Sequence, residues 1–228
     1  TAETLLELLN QLEPRVKGSS LYYAGGVALN VVANERIVRE GNFSRVFMNG
    51  SCEDNGTAIG AALAVYHART QRRVGEAPRE YFGREYPGQL IRTVLDQLPV
   101  SVRALDRSAM IDETARMISQ GQVLGWFQGA SEFGPRALGN RSVFADPRSS
   151  TASERLNGKI KRRESFRPYG ACVPADASER YFDLPGESPM MLRQGAVIHG
   201  GLPSICHVDG SCRLQTVRQE ENPRLHEL

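Results

Sequence analysis

Arginines carried on turns, not along a helix, are the first chemical feature of this sequence. The stretch EFGPRALGNRSVFADPR (132–148) holds Arg136, Arg141 and Arg148, with Arg155 just beyond. KRRESFRPYG (161–170) adds Lys161, Arg162, Arg163 and Arg167. Between Glu132 and Arg167 nine basic residues face four acidic ones, a local excess of five positive charges. On one helix, such charges would spread over a solvated face. Gly134, Pro135, Gly139, Pro147 and Pro168 impose turns instead, and turns let cations approach one point from several directions. Convergent guanidiniums grip planar oxyanions bidentately, and a lysine adds a point charge. Phosphate, pyrophosphate, carboxylate and carbamate all suit such a site. The charge alone also fits a surface patch of ion pairs, each worth about 0–1 kcal/mol. Nucleic acid is the weakest match, because Phe133, Phe144 and Phe166 are too scattered to suggest a stacking platform.

The rest of the composition confines this charge to a local site. The 228 residues are 40% hydrophobic and 24% charged, enough for one large domain or two modest ones, and the net charge is only +2. No run of 18 apolar residues could span a membrane, and TAETLLELLNQLEP has neither the basic nor the apolar region of a secretory signal. A cytoplasmic protein is expected. The absence of an initiator Met points to processing or to a piece of a longer protein. Cys52, Cys172, Cys206 and Cys212 lack C-x-x-C spacing and read as reduced thiols.

The elements that must hold these residues follow an α/β pattern. Leu5, Leu8, Leu9 and Leu12 predict an opening helix, LYYA (21–24) a strand, and VALNVVANERIVRE (27–40) a helix after Gly25-Gly26. SRVFM (44–48) reads as a second strand and TAIGAALAVYHA (57–68) as a small-residue helix, so a parallel crossover is expected. Residues 69–105 lose this rhythm but hold one helix near QLIRTVLDQL. A second unit starts near Asp106, with a helix capped by Ser108 and stopped by Gly121, then a strand at QVLGWF (122–127). Thr151-x-x-Glu154 reads as a capping box with Leu156 and Ile160 inward. SICHV-DG-SCRLQTV (204–217) reads as two strands around an Asp-Gly turn.

Five blocks in order, YAGGVALNVVAN, EDNGTAIGAAL, GWFQGASEFGPRALGNRSVFADPR, LNGKIKRRESFRPYG and HVDGSCRLQTV, resemble the O-carbamoyltransferases of antibiotic and nodulation-factor biosynthesis. The resemblance implies an α/β fold: the second lobe of an actin/sugar-kinase-like (Kae1-like) domain over 1–75, a connection over 76–105, and a YrdC-like domain over 106–228 whose C-terminal part is missing. It further implies that carbamoyl phosphate and ATP give carbamoyl-adenylate with release of pyrophosphate. The carbamoyl group then passes to a hydroxyl of a small molecule, helped by a divalent metal, Fe2+ or Mg2+. On this likeness Lys161, Arg136 and Arg167 are catalytic, and Gly25, Gly26, Asn30, Arg141, Ser142 and Arg213 contact nucleotide or substrate. Asp54 is the metal ligand, and neither His207 nor Asp209 is a base. The family's metal-binding His pair has no counterpart, since His67, His199, His207 and His226 all follow Asp54. Missing lobes, supplied by a partner or lying outside this piece, are therefore expected. A non-catalytic nucleotide-binding module is the alternative.

Overall fold

The computed structural model describes residues 1–12, 19–75 and 80–228 of a mixed α/β chain. Helix α1 (Ala2–Leu12) lays Leu6 and Leu9 on Ile37 of α2 (Val31–Glu40), and Leu21, Tyr23, Phe43 and Val46 close that cluster. Leu8 and Leu12 stay exposed, so the buried stripe is narrower than the leucine spacing suggests. Strands β1 (Ser20–Tyr23) and β2 (Arg45–Met48) pair in parallel, with Leu21 opposite Val46, and α2 makes the expected crossover. The helix expected from Val27 is broken. A 3-10 turn covers Gly26–Leu29, and the Asn30 side chain then accepts the N–H groups of Val32 and Ala33 at 3.1 and 3.2 Å. An asparagine cap restarts the helix because it satisfies two otherwise orphaned donors.

Helix α3 (Gly56–Thr70) forms as expected, yet none of its residues is buried. Helix α4 (Gly88–Leu95) is the regular element of the expected connection, whose first residues, 76–79, lie outside the described residues. Helix α5 (Arg107–Ser119) is capped by Asp106, whose carboxylate accepts the Ala109 N–H at 2.9 Å, and not by Ser108. Both residue types cap well, and the carboxylate two residues upstream wins the position.

Three further expectations are corrected. Within the turn-rich arginine stretch, Arg141–Phe144 is a strand (β4), paired antiparallel with β3 (Leu124–Phe127). The Thr151 side chain makes no capping bond, and α6 (Ala152–Arg155) opens at once into a π-helical turn over Leu156–Lys161. That wider turn rotates Ile160 outward while Leu156 stays buried. The Asp-Gly turn exists, with Gly210 at φ 81°, but only its second limb, β8 (Ser211–Val217), is a strand. Instead of a hairpin mate, β8 has β5 (Gly170–Pro174) on one side in parallel and β7 (Arg193–Val197) on the other, antiparallel. β6 (Phe182–Asp183) extends the sheet beyond β7, and α7 (Pro223–Glu227) ends the chain. Ala171, Val173, Phe182, Leu184, Ile205, Cys212 and Leu214 form the core of this sheet.

The two halves meet along a polar-stitched seam. Ala28 and Cys52 pack on Leu192, and Asn34 Nδ2 donates to the carbonyls of Ala28 and Leu192 at 2.7 and 2.8 Å. Beside them Arg193 donates to both carboxylate oxygens of Glu35 at 2.9 and 3.0 Å, with both side chains over nine-tenths buried. The four cysteines are unpaired, and among the described residues no helix is long and apolar enough to cross a membrane. Removing one partner of a buried bidentate pair strands the other charge, at a cost of about 3–5 kcal/mol. Glu35→Ala should therefore lower the urea midpoint steeply. Removal of the exposed Arg36–Glu40 pair by Glu40→Ala should leave the midpoint nearly unchanged in the same titration, because water screens such a pair.

Candidate functional site

The loop from Glu132 to Arg141 is organised by its own first residue. The Glu132 carboxylate accepts the N–H groups of Leu138, Asn140 and Arg141 at 2.7 to 3.1 Å, bending the intervening chain around a single anion. Gly139 adopts φ 100° and lies where a Cβ would strike Leu225 of α7 at 2.1 Å, so only glycine fits the turn. The outer end of the loop rests on the first half of the chain. Ser51 Oγ donates to the Phe133 carbonyl at 3.0 Å, and Arg136 Nη2 donates to the Leu29 carbonyl at 3.2 Å.

Arg136 thereby enters a cavity of about 500 Å3 between this loop, the π-helical turn and the four-stranded sheet. Five cations line it: Arg136, Lys161, Arg163, Arg167 and Arg213. Ser142 shares the wall, and its Oγ accepts the Gly139 N–H at 2.9 Å. Phe144, Leu156, Phe166, Tyr169, Met191 and Ile205 supply apolar surface. The acidic residue in the lining, Asp146, is already held bidentately by Arg148 at 2.7 to 3.1 Å.

Electrostatics mark the site as short of negative charge. Arg213 Nε and Arg136 Nε are buried without a hydrogen-bond partner among the described residues. Burial pulls the Arg136 guanidinium below its ordinary pKa. Burial, followed by repulsion from Arg136, Arg163 and Arg167, pulls Arg213 down to about 10. Buried cations without anions are costly, and a bound oxyanion is what would relieve them.

The remaining sequence-derived positions lie elsewhere. Arg141 turns away from the cavity: it donates to the carbonyls of Arg84, Gln128, Gly129 and Asn140 and stacks on Phe127, 3.6 Å from the ring centre. Gly25, Gly26 and Asn30 form the turn before α2, where Asn30 serves as the cap, and they touch the cavity only through the Leu29–Arg136 bond. His207 Nδ1 lies 3.0 Å from Ser211 Oγ, and Asp209 accepts from the Ser211 N–H and hydroxyl, so both brace the turn before β8. Asp54 is exposed, and among the described residues no group of three or more His, Cys, Asp or Glu is placed to hold a metal ion. One carboxylate does not fit a metal site by itself.

Arg163 and Asn157 escaped the sequence reading. Arg163 was one cation among many, and the pairing of its guanidinium with Tyr169, 4.7 Å from the ring centre, is invisible without coordinates. Asn157 stands in an Asn-Gly pair that suggests only a turn, yet it is 1% exposed.

This geometry defines an α/β protein with a cation-lined cavity set against an apolar wall. Comparison with known proteins supplies the family. Residues 115–228 match the family described as Carbamoyltransferase C-terminus, and residues 1–63 match Carbamoyltransferase N-terminus. The chain belongs to the carbamoyltransferase family. It is 37% identical to an uncharacterised Synechocystis protein, covering all of this chain and 42% of the relative. It is 37% identical to the nodulation protein NolNO of Sinorhizobium fredii, covering 91% of this chain and 32% of that one. It is 36% identical to the 3'-hydroxymethylcephem-O-carbamoyltransferase of Amycolatopsis lactamdurans, covering 99% of this chain and 42% of that one. The chain thus spans less than half the length of these relatives.

Two stability measurements check the site's construction. Glu132→Gln turns a donor toward loop N–H groups and should cost about 1–3 kcal/mol, with faster amide exchange at Leu138, Asn140 and Arg141. Arg213→Met removes an uncompensated buried cation, so the ligand-free chain should gain stability on the order of 1 kcal/mol in denaturant titration.

Proposed function

We propose that this chain carries the carbamoyl-activating part of an ATP-dependent O-carbamoyltransferase. The observation that supports the reading most is the convergence of Arg136, Lys161, Arg163, Arg167 and Arg213 on one cavity that lacks a free carboxylate. Carbamoyl phosphate and the phosphates of ATP supply the missing negative charge. In this reading the fold is the second lobe of a Kae1-like domain followed by a YrdC-like domain. The apolar wall receives the nucleoside, and the cations hold the carbamate oxygen and the α-phosphorus in line. Hydrolysis of carbamoyl phosphate by water releases inorganic phosphate and leaves carbamate, whose oxygen attacks that phosphorus; the bond to the β-phosphate breaks, so carbamoyl-adenylate forms and pyrophosphate leaves. The guanidiniums and Lys161 stabilise the charge that grows on the leaving group, in a site where such interactions are strong. The acceptor is a hydroxyl of a small molecule, in keeping with the cephem-directed relative. No step is assigned to a metal through Asp54.

Pyrophosphate at about one hundred times its Kd should raise the chain's stability by about 2.7 kcal/mol, seen as a higher Tm. Lys161→Ala or Arg167→Ala should abolish ATP-dependent pyrophosphate release from carbamoyl phosphate, with circular dichroism unchanged. Normal turnover in these variants would overturn the assignment. An ATP analogue that binds while carbamoyl phosphate yields no pyrophosphate would favour a non-catalytic nucleotide-binding module instead.

A further inference from the structure

Below the cavity floor, one amide uses its full bonding capacity to tie together the segment that bears three of the five cations. Asn157 Nδ2 donates to the carbonyls of Ser165 and Arg167 at 3.2 and 3.0 Å. Its Oδ1 accepts from Arg163 Nε at 2.7 Å and from the Tyr169 hydroxyl at 2.8 Å. An amide offers two donor hydrogens and two acceptor lone pairs, and all four are taken. The Asn157 carbonyl also receives the Arg163 N–H at 3.0 Å, where Arg162 turns the chain through a left-handed conformation at φ 47°. The consequence for Arg163 is specific. Nε is bound below and the guanidinium lies over Tyr169, which leaves the two terminal nitrogens for the cavity. Arg167 and Lys161 stand at the two ends of the segment thus closed, and the loose Arg167–Glu164 contact of 3.8 Å could not hold it alone.

We propose that Asn157 is the positioning residue of this cavity. It presets Arg163 and Arg167 toward an anion that it does not itself touch. This rests on the reading of the cavity as a phosphate site. Preorganised cations bind without the ordering penalty that a loose loop imposes at each encounter. The effect of Asn157 should accordingly be felt through the arginines, not independently of them.

A double-mutant cycle on the whole chain tests this, with inorganic pyrophosphate as the probe in titration calorimetry. Asn157→Ala should weaken binding tenfold or more. Arg163→Ala should do likewise in the wild-type background but add less than threefold once Asn157 is gone, because an unheld Arg163 no longer contributes. Such coupling is what contacting residues show, and additivity marks independent sites. Tyr169→Phe, which removes one of the four bonds, should weaken binding only a few-fold. Independent losses that multiply in the double variant, or unchanged affinity in folded Asn157→Ala, would overturn the assignment. If Asn157→Ala does not fold, the isosteric Asn157→Asp takes its place, and failure of both to fold would make Asn157 a folding residue and end the proposal. Absence of pyrophosphate and ATP-analogue binding by the wild-type chain would instead refute the phosphate-site reading itself.

Discussion

Mutual repulsion among like charges is the constraint that organises this molecule. Five basic side chains share one cavity of about 500 Å3, and two of them present a buried guanidinium nitrogen without a partner among the described residues. Unit charges 4 Å apart repel by about 4 kcal/mol at an effective dielectric of 20. A flexible chain would relax by swinging its arginines into water. Here the scaffold prevents it for Arg136 and Arg213, whereas Lys161 and Arg167 remain exposed at the cavity rim. Arg213 is anchored in β8, flanked on both sides by other strands, and Arg136 sits on a loop pinned from within by Glu132. The stability spent on crowding charge is supplied by cores that lie elsewhere, under the four-stranded sheet and between α1 and α2.

Two anchors of opposite chemistry share the work around the cavity. Glu132 uses a carboxylate to collect backbone N–H groups, whereas Asn157 uses a neutral amide to bridge carbonyls and side chains. The difference follows from what each loop leaves unsatisfied. A tight glycine turn exposes donors, which an anion answers. The π-helical turn and the return from Ser165 expose acceptors, which need a donor. The seam formed by Asn34, Glu35, Leu192 and Arg193 then fixes the first half of the chain against the sheet, so that the Leu29 carbonyl meets Arg136.

Much of the chemistry could be read from the sequence because glycines and prolines announce turns locally. Charge density from Arg136 to Arg167 likewise needs no coordinates. Arg213 was different: only the family resemblance singled it out, since one arginine in a strand carries no local signal. The opening βαβ crossover was legible from hydrophobic spacing. Strands β4, β5 and β7 were not, because a short strand exists by virtue of distant partners and its own sequence says little of them. Asp106 and Ser108 are both good caps two residues apart, and sequence cannot rank them. The outward turn of Arg141 was equally hidden, for a guanidinium that satisfies four carbonyls looks, in sequence, like one awaiting a ligand.

The Glu132 anchor carries a corollary for recognition. Many phosphate loops recognise their ligand with main-chain amides, and such recognition is blind to side-chain replacement. In this loop the amides of Leu138, Asn140 and Arg141 are occupied from inside. What this loop contributes to selectivity therefore rests on the side chains it carries into the cavity, Arg136 and Ser142. Replacing either side chain would change the charge or bonding offered there, while the turn held by Glu132 keeps its course.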